Sequence, residues 1–179
     1  MNRKSYFSTM NIVLIAIFSA LWAALNLTLG RFGFAWSGLP IFCDFSVFST
    51  LLLTTWATSR FGAASLVGAI GTAITFLINP SPSTASFVAA AVLFDVLMTV
   101  NHHEPCVKAY NIGTATLSTA IAAYFAGAIT GALFMNNSLE WALTFWGGWH
   151  LIGGIIAAAI TLPIIGVLER ANVRRIRSG

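Results

Sequence analysis

The chain has 179 residues, 58% of them apolar and only 8% charged, with nine basic and five acidic side chains and a net charge of +4. A soluble domain of this size cannot hide so much apolar surface and would expose large sticky patches. The composition argues against a water-soluble enzyme or nucleic-acid-binding domain, and makes lipid the solvent for most of the molecule.

Six apolar spans follow in chain order, at about 9–29, 39–58, 61–78, 83–100, 109–135 and 143–168. Roughly 20 apolar residues cross the ~30 Å hydrocarbon core. Each span must be a helix, because an isolated strand leaves its backbone polar groups unsatisfied in lipid. The expectation is an all-α membrane protein, with residues 1–179 forming one compact bundle of six transmembrane helices. The basic start at Arg3 and Lys4 followed by an apolar stretch resembles a signal peptide, but the stretch is too long for one and reads as a retained first span. Asn79-Pro80-Ser81-Pro82 is a strong breaker after the third span, and Asn136-Asn137-Ser138 ends the fifth.

Six spans put both termini on one side. That side collects Arg3, Lys4, Arg60, Lys108, Arg170, Arg174, Arg175 and Arg177, against Arg31 alone on the other. The bias predicts cytoplasmic N- and C-termini. The basic C-terminal run reads as an anchor near anionic headgroups rather than as a nucleic-acid site. Cys43 and Cys106 fall on opposite sides in this topology, so no disulfide framework is expected.

Small residues recur every four positions in several spans: Ala16, Ala20 and Ala24; Ala64, Gly68 and Thr72; Ala123, Gly127 and Gly131; Gly154 and Ala158. Such stripes let helices approach closely in lipid. Packing within the bundle is the first reading. For the first helix, a docking face for another membrane protein is the second.

No GxxxxGK[ST] loop, GxSxG elbow or HExxH helix is present, so no local signature of ATP binding or catalysis appears. Polar and aromatic groups gather instead at the outer side. Loop one carries Arg31, Phe32, Phe34 and Trp36, and Asp44 follows in the second span. The later outer loops offer Asn79, Ser81, Ser83 and Glu140. Trp146, Trp149 and His150 open the sixth span at i, i+3 and i+4, on one helix face. Rings for stacking with a few convergent polar groups suit a flat, polar, vitamin-sized molecule. Trp36 and Trp141 also fit the role of interface anchors. The candidate binding residues are Arg31, Trp36, Asp44, Asn79, Glu140, Trp146, Trp149 and His150. Two carboxylates, Asp44 and Glu140, against one arginine tilt towards a cationic or donor-rich ligand such as thiamine or its pyrimidine precursor. A pairing of Asp44 with Arg31 removes that tilt.

Asp95 lies deeper, with Tyr124, nearby hydroxyls and the helix ends near Asn101 as candidate partners. The loop His102-His103-Glu104-Pro105-Cys106 has metal-ligating residue types, but its spacing matches no zinc pattern. It reads as a solvated connector, with a partner contact as the next possibility. No metal and no cofactor is expected.

These residues resemble the substrate-binding S component of energy-coupling factor transporters. The resemblance rests on six spans in about 180 residues, the Ala16-xxx-Ala20-xxx-Ala24 stripe, the segment RFGAASLVGAIGTAITFLINP (60–80) and the segment HLIGGIIAAAITLPIIGVLER (150–170). The third-span segment departs from many members by carrying Thr72 and Thr75 where an acidic residue stands. The resemblance implies a non-enzymatic subunit of a prokaryotic plasma membrane that captures a vitamin or vitamin precursor at the outer face. It further implies docking through Ala16, Ala20 and Ala24 onto a transmembrane coupling subunit, with ATPases on separate chains. A subunit of a membrane enzyme complex and a small channel are the alternatives. The separation of Asp95 from the outer cluster disfavours the first, and the apolar inner halves of the spans disfavour the second.

Overall fold

The computed structural model describes residues 6–105, 109–171 and 173. Arg3, Lys4, Cys106, Lys108, Arg174, Arg175 and Arg177 lie outside the described residues. Six helical segments follow one another: α1 (Thr9–Ser37), α2 (Ile41–Thr58), α3 (Ala63–Ile78), α4 (Pro82–Asn101), α5 (Ala109–Phe134) and α6 (Leu139–Arg170). No strand occurs among the described residues. Five of the six are long and apolar enough to cross a membrane, which marks a multi-pass membrane protein. The exception is α3, whose 16 residues reach about 24 Å at the α-helical rise.

Two boundaries differ from the sequence expectation. The first helix does not stop near residue 29 but runs on to Ser37, so Arg31, Phe32, Phe34 and Trp36 stand on its last turns rather than in a loop. The stop is Gly38, at φ +68°, whose N–H closes on the Phe34 carbonyl at 2.8 Å. Gly30 and Gly33 let the extension continue, and Gly33 lies against the ring of Phe42 on α2. At the other boundary, the Ser138 hydroxyl accepts from the Trp141 N–H at 3.3 Å and starts α6 at Leu139. Glu140 and Trp141 therefore sit on a helical first turn.

The bundle is organised around α2, the most enclosed helix. Its buried hydroxyls return to the carbonyl one turn back, Thr50 to Ser46 at 2.8 Å, Thr54 to Thr50 at 2.7 Å and Thr58 to Thr54 at 2.8 Å. These three hydroxyls are thus satisfied without leaving the helix, while the buried Ser49 hydroxyl accepts from Thr161 of α6. Val47, Phe48, Leu51 and Leu52 fill the core from α2, meeting Trp22, Val67, Phe94, Met98 and Ile165. The small-residue stripes of α3, α5 and α6 face inward, since Ala64, Gly68, Thr72, Ala123, Gly127, Gly131, Gly154 and Ala158 are buried. Ala16, Ala20 and Ala24 do the opposite. They are exposed, while Ile15, Ser19, Trp22 and Ala23 of the same helix are buried. Ile12, Ile17, Ile70, Leu117, Ile121, Ile155 and Ile164 also face outward, as an apolar belt does when lipid is the solvent.

The end of the bundle that carries Arg60 and Arg170 is tied down by Asp95. Its Oδ2 accepts from the Gly62 and Ser65 N–H groups at 2.9 and 3.0 Å and from Ser65 Oγ at 2.8 Å. Its Oδ1 lies 3.0 Å from His103 Nε2. This corrects two expectations. Of the partners weighed for Asp95, a hydroxyl, that of Ser65, is met and Tyr124 is not, because the carboxylate reaches across to Ser65 and to the free N–H groups that start α3. The histidine loop is not simply a solvated connector, because His103 is buried against Asp95 and packs edge-on to Phe61 at 5.9 Å.

Candidate functional site

At the opposite end a cavity of about 390 Å³ opens between the helices. That size suits a small organic ligand. Helix ends from all six segments contribute to its wall. Three of them carry a widened π-helical turn beside the cavity: Asn26–Gly30 in α1, Thr130–Phe134 in α5 and Ala142–Trp146 in α6. Asn26, Thr130 and Trp146 from these turns line it. A π turn inserts a residue into the helical register and re-aims the side chains around it, which is why such turns collect at functional sites.

One wall is polar and anchored from behind. Asp44, in the first turn of α2, is fully buried, and its Oδ1 lies 2.7 Å from His150 Nδ1 on α6. The carboxylate orients the imidazole and leaves Nε2 as the ring's remaining polar atom, while His150 lines the cavity. Two glycines make the room. A Cβ at Gly153 would stand 2.6 Å from Asp44 Oδ2, and one at Gly127 would stand 2.6 Å from His150 Cδ2. The small-residue stripes that bring α5 and α6 together thus also seat the buried pair. Asp44 Oδ2 and the indole N–H of Trp146 are buried without a protein partner among the described residues.

The lining beside it is aromatic. Phe87 of α4 lies 5.9 Å from the His150 ring and Trp146 lies 6.4 Å from it, both tilted. Phe34 of α1 completes this lining. Ser86 and Thr130 share a hydrogen bond of 2.7 Å that joins α4 to α5 beneath it.

Of the residues singled out from sequence, Arg31, Asn79, Trp146 and His150 line this cavity together. Asp44 stands directly behind His150. Trp36, Glu140 and Trp149 are not in the wall. Trp36 is 85% exposed at the end of α1. Glu140 is exposed on the first turn of α6, where a carboxylate suits the helix N-terminus. Trp149 precedes His150 by one residue, hence about 100° around the helix, and only His150 turns inward. Asp44 pairs with His150 and not with Arg31, which has no ion pair among the described residues. Asn26, Cys43, Thr75, Phe87 and Thr130 also line the cavity and were not among the candidates. Asn26 was visible as an amide inside the first apolar span, a rare and costly placement in lipid. Thr75, Phe87 and Thr130 carry no such signal.

No grouping of three or more His, Cys, Asp or Glu side chains able to hold a metal occurs among the described residues. No family model, curated protein or solved structure matches the chain.

Proposed function

We propose that this chain is the substrate-capture subunit of a membrane importer, binding a vitamin-sized ring molecule at the outer face of a prokaryotic plasma membrane. Transport is driven by ATPase subunits on other chains through a transmembrane coupling subunit. In this reading α3 is the sixth span, both termini are cytoplasmic, and the cavity opens outward. The observation that carries it is the cavity itself, where three π turns and the Asp44–His150 pair converge on a space of about 390 Å³ at one end of the bundle. The residues that line this cavity all lie toward one end of the bundle, which fits capture better than conduction, since a channel needs a polar path through the whole bundle. The outward-facing Ala16, Ala20 and Ala24 support docking of a partner helix, because small side chains admit close approach in lipid.

The test is native mass spectrometry of the chain purified gently in mild detergent. Capture predicts one small organic molecule per chain, recovered at lower occupancy from Trp146→Ala. Recovery of a metal ion instead, or of the chain with no small molecule after expression in medium rich in vitamins, overturns the reading.

A further inference from the structure

We infer that the molecule held in this cavity is a planar ring bearing an acidic group, with Arg31 as its anchor. The inference rests on the capture reading and names its substrate class. It reverses the charge balance that the sequence suggested. Glu140 stands outside the cavity, exposed on α6. Asp44 is behind the wall, enclosed and engaged by His150 at 2.7 Å. Its carboxylate stands outside the lining that a ligand meets. Arg31 is then the one formally charged side chain among the described residues lining the cavity. It stands exposed at the mouth with no carboxylate partner among the described residues.

The remaining wall agrees with that charge. The Trp146 indole can only donate, and its N–H has no protein acceptor. Asn79 and Asn26 carry amides able to donate as well as accept, and a guanidinium fork grips a carboxylate through two parallel bonds. Trp146 and Phe87 supply the surfaces against which a flat ring packs. A cation placed here meets Arg31 and finds no facing carboxylate in the wall.

The experiment uses the full chain in neutral-detergent micelles free of anionic lipid, so that no headgroup competes. Two matched pairs serve as probes, nicotinate with nicotinamide and 4-aminobenzoate with 4-aminobenzamide, with thiamine as the cation. Calorimetric titration and thermal shift are the readouts. At least one acid binds about ten-fold or more tighter than its amide, a difference in the range of one charge-assisted contact. Arg31→Gln removes the preference, and Arg31→Lys keeps part of it. Equal binding of acid and amide, tighter binding of thiamine, or an acid preference that survives in Arg31→Gln overturns the charge assignment and leaves capture standing. Binding by none of the probes also overturns the assignment, and the mass of the copurified molecule then decides the capture reading separately.

Discussion

His150 Nδ1 and Asp44 Oδ1 meet at 2.7 Å across the contact between α2 and α6, 106 residues apart in sequence and both buried. The pair joins the first turn of one helix to the cavity wall on another. Removing one member leaves the other buried and unpaired, which costs about 3–5 kcal/mol. Asp44→Ala and His150→Ala are therefore each strongly destabilising, and the double variant loses clearly less than the sum. Thermal unfolding of the purified chain in micelles measures this. Additive losses would show that the two groups do not act as a unit.

The glycines around the pair give a sharper test of packing. Gly153→Ala places a methyl 2.6 Å from Asp44 Oδ2, whereas the same change at Gly148 meets nothing within 4 Å. Gly153→Ala should cost about 1–3 kcal/mol, the range for overpacking. Gly148→Ala should be neutral or gain a few tenths of a kcal/mol through helix propensity. Equal melting temperatures for the two variants count against the seating of Asp44 described here.

The sequence carried the helices because each needs a long apolar run, and the Asn79–Pro82 breaker announced the end of α3 on its own. The direction of the stripes was half legible. Four-residue spacing shows that Ala16, Ala20 and Ala24 share a face, but only packing tells that this face points out while Ala123 and Gly127 point in. The cavity wall was legible where polarity is expensive, at Arg31, Asn79 and His150. It was hidden at Thr130, which owes its aim to a residue inserted by a π turn that hydropathy does not record, whereas Trp146, on another such turn, was legible from its spacing to His150. The His150 partner of Asp44 and the α3 N–H partners of Asp95 were hidden for another reason. Each bond is decided by how two helices cross, and neither partner lies within one helical turn.

Asp95 offers a prediction at the other end of the bundle. Its carboxylate satisfies the Gly62 and Ser65 N–H groups at the start of α3 and holds His103. Asp95→Ala leaves the buried His103 ring without its carboxylate, at about 1–3 kcal/mol, and the partly buried Gly62 and Ser65 N–H groups without their acceptor at less. Hydrogen exchange should accelerate at the amides of Gly62 and Ser65, while ligand binding in the cavity changes little. Unaltered protection of those amides would mean that water replaces the carboxylate without loss.

Docking is tested on the exposed alanines of α1. Ala20→Trp adds a large ring to an exposed face of the bundle, so the fold and ligand binding should persist. If a coupling subunit packs there, the close helix approach is blocked and assembly and uptake fail together. Co-purification with the coupling subunit, scored beside ligand binding to the isolated chain, separates the cases. Retained assembly with lost ligand binding would place the stripe in internal packing instead.

The cavity wall predicts an unequal response among tryptophans that the sequence could not tell apart. Trp146 lines the cavity between a π turn and His150, whereas Trp36 is 85% exposed and Trp149 is outside the wall. Losing an aromatic packing partner costs on the order of 1 kcal/mol beyond lost area, hence several-fold or more in affinity. Trp146→Ala should weaken binding of the molecule recovered by mass spectrometry by about that factor or more, with Trp36→Ala near wild type. Trp149→Ala should fall close to Trp36→Ala, because its ring points about 100° away from His150 around α6. Calorimetric titration of the three variants ranks them. A ranking led by Trp149 would mean that the ligand enters between α6 and the lipid rather than through the mouth beside Arg31.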